Sequence, residues 1–231
     1  PPGARRRGGR RVAARPPGLT GARPVAPAAL PRARALRRWD GKSLKEERQD
    51  GREGAAKRKM AFVRELRGMP VAINTADANE QHYEVPAEYF LKCLGPRLKY
   101  SSCLYPEGSS WSSTPLQAAE DAMLELYCKR AELADGQSFL ELGCGWGSLC
   151  LFLAERFPRS TVVAVSNSNS QREHIMGEAR RKGLGNLEVV TADLVDFAPT
   201  DGGATYDRVL SVECFEHMKN YQVLFQRIHS W

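Results

Sequence analysis

The chain has 231 residues and a net charge of +7, enough for one domain of ordinary size with extensions. The charge is uneven: residues 1–59 hold 18 Lys/Arg against 5 Asp/Glu, and residues 60–231 hold 16 against 22. The basicity thus belongs to the N-terminal segment, which removes the case for a whole domain built to bind nucleic acid. No run approaches the ~18 apolar residues of a membrane span.

Residues 1–38 are Arg, Pro, Ala and Gly with 11 arginines and no acid. Such a segment buries too little apolar surface to offset chain entropy, so disorder is expected. An organelle transit peptide, a read-through leader and an RNA-contacting arm all fit it. Residues 39–59 read as a charged, Gly-punctuated linker, completing a disordered basic extension over 1–59. A helical cap region is expected over 60–135. Phe62, Leu66 and Met69, then Tyr89, Phe90, Leu91 and Leu94, keep helical spacing, and Gly95-Pro96 ends the second run. A Ser/Pro/Gly loop covers 101–113. Thr114 reads as an N-cap, with Pro115 at the first helical position and Gln117 completing a capping box. Leu116, Ala119, Met123, Leu126 and Tyr127 form the expected buried stripe.

After Gly136 the chain alternates. Strand 138–142 precedes helix 148–157, ended by Pro158; strand 161–165 precedes helix 170–182, ended by Gly183. Strand 187–191 precedes a loop, then strand 206–212 and a helix from about 220. This alternation specifies an α/β core, a parallel sheet with helices on both faces, over 136–231. The six cysteines (Cys93, Cys103, Cys128, Cys144, Cys150, Cys214) contain no C-x-x-C pair, and no His completes a zinc spacing. No metal site is expected, and a reducing, cytoplasmic compartment is the natural reading.

Four stretches carry chemistry, each where a strand ends. Phe139 to Gly147 runs from an apolar strand through an acid into glycines at every second position. The dinucleotide fingerprint G-x-G-x-x-G would place its third glycine at Ser148; here it falls at Gly147. Gly143 and Gly145 let a ligand lie against the backbone, because no Cβ intervenes, and the next helix points its N-terminus at the same spot. After strand two, Asn167 and Gln171 stand one helical turn apart. They suit a ribose, or are an ordinary polar helix start capped by Ser168 or Ser170. After strand three, Asp193 and Leu194 suit an adenine, or cap a turn. After strand four come Glu213, Glu216 and His217, two carboxylates and an imidazole within five residues, able to shift one another's pKa and move protons.

Residues 72–231 resemble the coclaurine N-methyltransferase-like branch of the S-adenosylmethionine (SAM) methyltransferases, within the cyclopropane-fatty-acid synthase superfamily. The resemblance is carried by Ala78 to Tyr83, Lys99 to Cys103, Ala122 to Cys128, the glycine turn, Val165 to Gln171, Tyr206 to Arg208 and Phe215 to Tyr221. It implies a Rossmann-like SAM methyltransferase fold. The family's sheet has seven strands, so this chain is expected to stop after the fourth. It further implies that Tyr100 and Ser101 hold the methionine end of SAM and that Gly143 lies against the cofactor. Asn167 and Gln171 would sit near its ribose, and Asp193 and Leu194 at its adenine. Glu213, Glu216 and His217 would form the catalytic group beside a small-molecule amine. Cyclopropane synthases typically follow Tyr-Ser with a Cys that belongs to a bicarbonate site; here that residue is Ser102, with Cys103 beside it. The expected function is therefore SAM-dependent N-methylation. The alternatives are a lipid methylase of the cyclopropane-synthase type, or a truncated inactive or RNA-binding protein.

Overall fold

A computed structural model describes residues 41–42, 44–46, 48–73, 87–199 and 205–231. The Arg-rich segment 1–38 and the stretch Ala78 to Tyr83 lie outside them. Contacts divide the chain into two units, residues 1–59 and 60–231; the elements of the core all belong to the second.

Four strands form the sheet, and helices alternate with them. In chain order the elements are α1 (Gly51–Leu66), α2 (Ala87–Cys93), α3 (Leu116–Arg130), β1 (Ser138–Leu142), α4 (Ser148–Arg156) and β2 (Thr161–Ser166). Then come α5 (Asn169–Arg181), β3 (Leu187–Thr191), β4 (Arg208–Leu210), a 3-10 turn (Phe215–His217) and α6 (Tyr221–His229). The sheet order is β3-β2-β1-β4, and every pairing is parallel. The chain steps outward from β1 to β3 and returns to the other side of β1 for β4. That reversal makes the gap between β1 and β4 a topological switch point, where open α/β sheets bind ligands.

The strands form where apolar residues run without interruption, as parallel strands covered on both faces require. Alternate residues of β2 serve opposite faces. Val162 and Ala164 pack with Leu124, Leu153 and Ile175 from α3, α4 and α5. Val163 and Val165 pack with Leu140, Phe197 and, from the α6 end, Ile228 and Trp231. Helices therefore cover both faces.

Several boundaries differ from the sequence reading. Helix α1 begins at Gly51, inside the segment expected to be linker, so residues 51–59 are helical and not disordered. It buries none of its residues; Ala55, Ala56 and the Lys57–Glu53 pair at 3.0 Å are helix-favouring without an apolar stripe. The capping box before α3 does not form. Pro115 is the residue that precedes the helix, at φ −56 and ψ 141, and no side chain caps it. Its carbonyl takes the first amides, from Ala118 at 3.0 Å and Ala119 at 3.3 Å. The buried line of α3 is rotated: Ala119, Glu120, Leu124 and Cys128 are buried, while Leu116 is 45% exposed. The cause is Gly95, whose missing side chain makes room for Glu120, which accepts a hydrogen bond from Arg97 N at 3.1 Å. Strand β4 is shorter than the expected 206–212. Side chains replace the ladder at both ends: Asp207 accepts from Ser138 N at 2.8 Å, and Ser211 Oγ donates to Leu142 O at 2.9 Å.

Candidate active site

The C-terminal ends of all four strands open on one cavity of about 180 Å³. Its floor is the turn after β1. Gly143, Gly145 and Gly147 sit at φ of 81, 51 and 89, a region costly for residues with a Cβ. Two of these glycines serve the protein's own packing. A Cβ on Gly143 would lie 2.5 Å from Cys214 Sγ, and one on Gly147 would lie 2.6 Å from Ile175 Cγ1. A Cβ on Gly145 would meet nothing within 4 Å; that position faces open space, the arrangement needed for a ligand to lie on the backbone. Ser148 and Leu149, the first residues of α4, line the same cavity, so the positive end of the helix dipole faces it.

The loop after β2 caps the next helix and also borders the cavity. Ser168 caps α5, its Oγ accepting from Gln171 N at 3.4 Å. Asn167 and Gln171 line the cavity as well. Gln171 is 2% exposed. Its Oε1 accepts from Ser166 Oγ at 2.7 Å, while its Nε2 has no partner among the described residues. Asp193 and Leu194 line the cavity, and one carboxylate oxygen of Asp193 caps the local turn by accepting from Val195 N at 2.9 Å.

The rim joins residues far apart in sequence. Glu213 has a φ of 48, a strained conformation for a residue with a side chain. Its Oε1 accepts from Ser102 N at 2.9 Å and from Ser102 Oγ at 2.6 Å. Those two bonds hold its carboxyl below the usual carboxylate range. Glu213 and His217 line the cavity. Glu216, on the same 3-10 turn, is exposed and is not among the lining residues. The turn is anchored from below. Asn220 Nδ2 donates to Arg67 O and Met69 O at 3.0 and 2.8 Å, and Lys219 N to Val71 O at 2.8 Å. Tyr100 and Ser101 also line the cavity.

Two buried charged residues that line the cavity carry no assignment from sequence. Glu141, the acid just before the glycine turn, is 3% exposed, its Oε2 has no partner among the described residues, and burial pushes its carboxyl up to about 8. Lys99 is 5% exposed and donates from Nζ to Ser101 Oγ and to Tyr127 OH at 3.1 Å. The sequence signal available was an ionisable residue inside an apolar run, Glu141 between Leu140 and Leu142. For Lys99 nothing local marks burial. Among the described residues no cluster of three or more His, Cys, Asp or Glu is arranged to hold a metal ion.

A parallel α/β core, a glycine turn at the switch point and polar loops at successive strand ends define a nucleoside-cofactor-binding protein. The chain belongs to the mycolic acid cyclopropane synthetase family, whose model matches residues 72–231. It is 46% identical to (S)-coclaurine N-methyltransferase of Thalictrum flavum subsp. glaucum over 166 residues, 72% of this chain and 44% of that protein. Identity falls to 32% with the cyclopropane-fatty-acyl-phospholipid synthase of Escherichia coli K12, over 63% of this chain and 35% of the other. Similarity is thus greater to the N-methyltransferase branch. A crystal structure of coclaurine N-methyltransferase bound to N-methylheliamine and SAH superposes with a TM-score of 0.77 at 40% identity, covering 86% of this chain and 55% of that one. The mycolic acid cyclopropane synthase CmaA1, complexed with SAH and CTAB, gives 0.58 at 26% identity, covering 69% and 53%. The chain spans about half the length of the relatives it matches.

Proposed function

We propose that this chain forms the cofactor-binding and catalytic part of a SAM-dependent methyltransferase that methylates the nitrogen of a small-molecule amine of the alkaloid type. The observation that carries this reading is the convergence of the open face of Gly145 with Glu213 and His217 on one cavity at the switch point. The residues present fit SAM. Gly145 leaves room for it along the backbone. The unpartnered Nε2 of Gln171 and the neighbouring Asn167 would offer neutral donors to ribose hydroxyls, and Asp193 and Leu194 would serve the adenine. Tyr100 and Ser101 would take the methionine end.

SAM supplies an electrophilic methyl on its sulfonium. The chain supplies position and proton handling. Holding donor and acceptor in near-attack geometry contributes roughly 7–11 kcal/mol. An aliphatic amine is mostly protonated at neutral pH and lacks a free lone pair in that form. His217, facing the cavity, accepts the proton. Glu216, exposed on the same turn, relays it to solvent. Glu213, kept ionised by Ser102, holds the ammonium as it arrives. General-base assistance of this kind contributes typically ~10²–10⁴ in rate.

Ser102 speaks against the lipid-cyclopropanating alternative. It commits both its N–H and its hydroxyl to Glu213, at the position where the resemblance to cyclopropane synthases leads one to expect a bicarbonate-binding Cys. The six cysteines are all free thiols, which supports a reducing, cytoplasmic location. Among the described residues no helix is long and apolar enough to cross a membrane. The domain division proposed is an extension over 1–59, a helical cap over 60–135 and the SAM-binding core from 136; the separation of contacts at residue 59 supports the first of these boundaries. No nucleic-acid partner is assigned. The test supplies the full chain with methyl-labelled SAM and, in parallel, a benzylisoquinoline amine and unsaturated phospholipid vesicles. Label on the amine supports the reading; label confined to the lipid overturns it.

A further inference from the structure

A second cavity, of about 470 Å³, shares Leu98, Trp146 and Ser148 with the first and is otherwise lined by other residues. Leu91 and Leu94 at α2 and Leu151 and Phe152 of α4 form its apolar wall, and His174 of α5 enters it. The Trp146 indole is 2% exposed. It stands between Phe90 and His174, with ring centroids 5.1 and 5.6 Å away. Three polar atoms of the lining residues are buried without a partner among the described residues: Trp146 Nε1, Ser148 Oγ and His174 Nε2. Residue neighbours do not satisfy them, and an unmet buried polar atom costs about 1–3 kcal/mol. An indole N–H can only donate, while a hydroxyl and a neutral imidazole can each donate once. Burial holds the His174 imidazole below its usual range, so it is neutral near pH 7. The charged side chains that line the cavity are already engaged. Arg97 pairs with Asp121 at 2.6 Å and Glu155 at 3.3 Å, Lys182 with Glu155, and Glu178 with Arg181 at 2.6 Å.

We propose that this second cavity is a binding site for a small monocarboxylic acid with an apolar or aromatic body, whose carboxylate accepts from Trp146, Ser148 and His174. The body lies against Leu91, Leu94, Leu151 and Phe152. Three donors and no free acceptor call for an acceptor-only group, and an ionised carboxylate accepts more strongly than an amide or ether. Ser148 is the first residue of α4, so the positive end of that helix favours the same charge. A phosphate does not suit the site, because a second negative charge would be buried with the lysine and arginine already committed to Glu155 and Asp121. The site is separate from the cofactor reading and stands without it. Trp146 and Ser148 border both cavities, so the two ligands share a wall but not a space.

The test is calorimetry on the full chain with benzoate and with benzamide, its uncharged counterpart. Benzoate should bind with a Kd of about 0.1–1 mM, and benzamide at least about tenfold more weakly. No heat with benzoate, or equal affinity for both, would overturn the proposal. Two variants locate the site. His174→Phe keeps a ring against Trp146 and removes Nε2. Leu91→Trp adds bulk at the wall from a residue that is 47% exposed on α2, where the fold tolerates it. Each should weaken benzoate by at least about tenfold and leave S-adenosylhomocysteine within about twofold. Unchanged benzoate affinity in Leu91→Trp overturns the site even where His174→Phe fails to fold. Benzoate should also bind protein saturated with S-adenosylhomocysteine, within about threefold of its affinity for the free chain. Mutual exclusion of the two would put the acid in the cofactor cavity and overturn the proposal. A chain that shows this pattern for benzoate but never binds S-adenosylhomocysteine keeps the second site and overturns the SAM reading alone.

Discussion

The floor and the rim of the cavity are built in opposite ways. The floor, from Glu141 to Leu149, is backbone: three glycines at positive φ and a helix start, all packed over a buried core. The rim, formed by residues 99–102 and 213–217, is side chain: exposed carboxylates and an imidazole, tied across 111 residues by two hydrogen bonds from Ser102. A floor of this kind recognises a ligand by shape and is intolerant of added atoms. A rim of this kind performs chemistry and tolerates substitution without loss of fold. Cofactor binding and turnover should therefore fail separately.

The largest separation is expected at Gly145. Gly145→Val places a branched side chain in the open space on the floor, and SAM affinity should fall below detection by calorimetry, at least ~10³-fold. Retained affinity in that variant would mean the ligand does not use the floor. Next come the rim variants. His217→Ala and Glu216→Ala should each lower kcat by roughly 10²-fold, with SAM affinity within about twofold of the unmodified protein. Raising the pH should partly restore the rate, since solvent then deprotonates the amine. A pH–rate profile on a form of the protein that turns over, with binding measured in parallel, decides this; weaker SAM binding and no rescue would place both residues in a structural role.

Gly143 and Gly145 should differ although they stand two residues apart. Gly143→Ala drives a methyl into Cys214 and should destabilise the fold by about 1–3 kcal/mol, seen as a lower denaturation midpoint. The corresponding loss for Gly145→Ala comes from backbone strain alone and should be about 1 kcal/mol.

Glu141 gives the floor a pH-dependent stability. Its folded-state carboxyl titrates near 8, above the unfolded value, so between about pH 4.5 and 8 the folded state holds a proton that the unfolded state has lost. Stability of the ligand-free chain should fall across that window as pH rises, by roughly 2–5 kcal/mol in total, and level off above it. Glu141→Gln should flatten the curve. An unchanged slope in urea denaturation series would show that the carboxyl is solvated. The smallest effect is expected at Ser102. Ser102→Ala removes one of the two bonds that keep Glu213 below the usual carboxylate range. The acidic limb of the pH–rate profile should then move to higher pH, with the plateau little changed.

The readable part of the chain was the part whose physics is local. A parallel strand covered on both faces must be an apolar run, so β1, β2 and β3 stand at Ser138, Thr161 and Leu187, where the sequence placed them. The turn from Leu142 to Gly147 is legible because positive φ admits few residues besides glycine. The polar residues at the strand ends stand out against those runs. What local patterning missed was set by distant contacts or by their absence. The first part of helix α1, residues 51–59, carries no apolar periodicity to betray it. The stripe of α3 turned because Gly95 opened a slot for Glu120, and β4 shortened because Asp207 and Ser211 took over its ladder bonds. Nothing within a few residues of Lys99 shows that its ammonium will lie under Tyr127. Nothing beside Glu213 shows that Ser102 will hold it, or that Glu216 will fall outside the cavity that His217 enters. Strand periodicity and glycine geometry are properties of a few neighbouring residues. The charge environment of a site exists only after a sheet has carried residues 99, 127, 141 and 213 to one place.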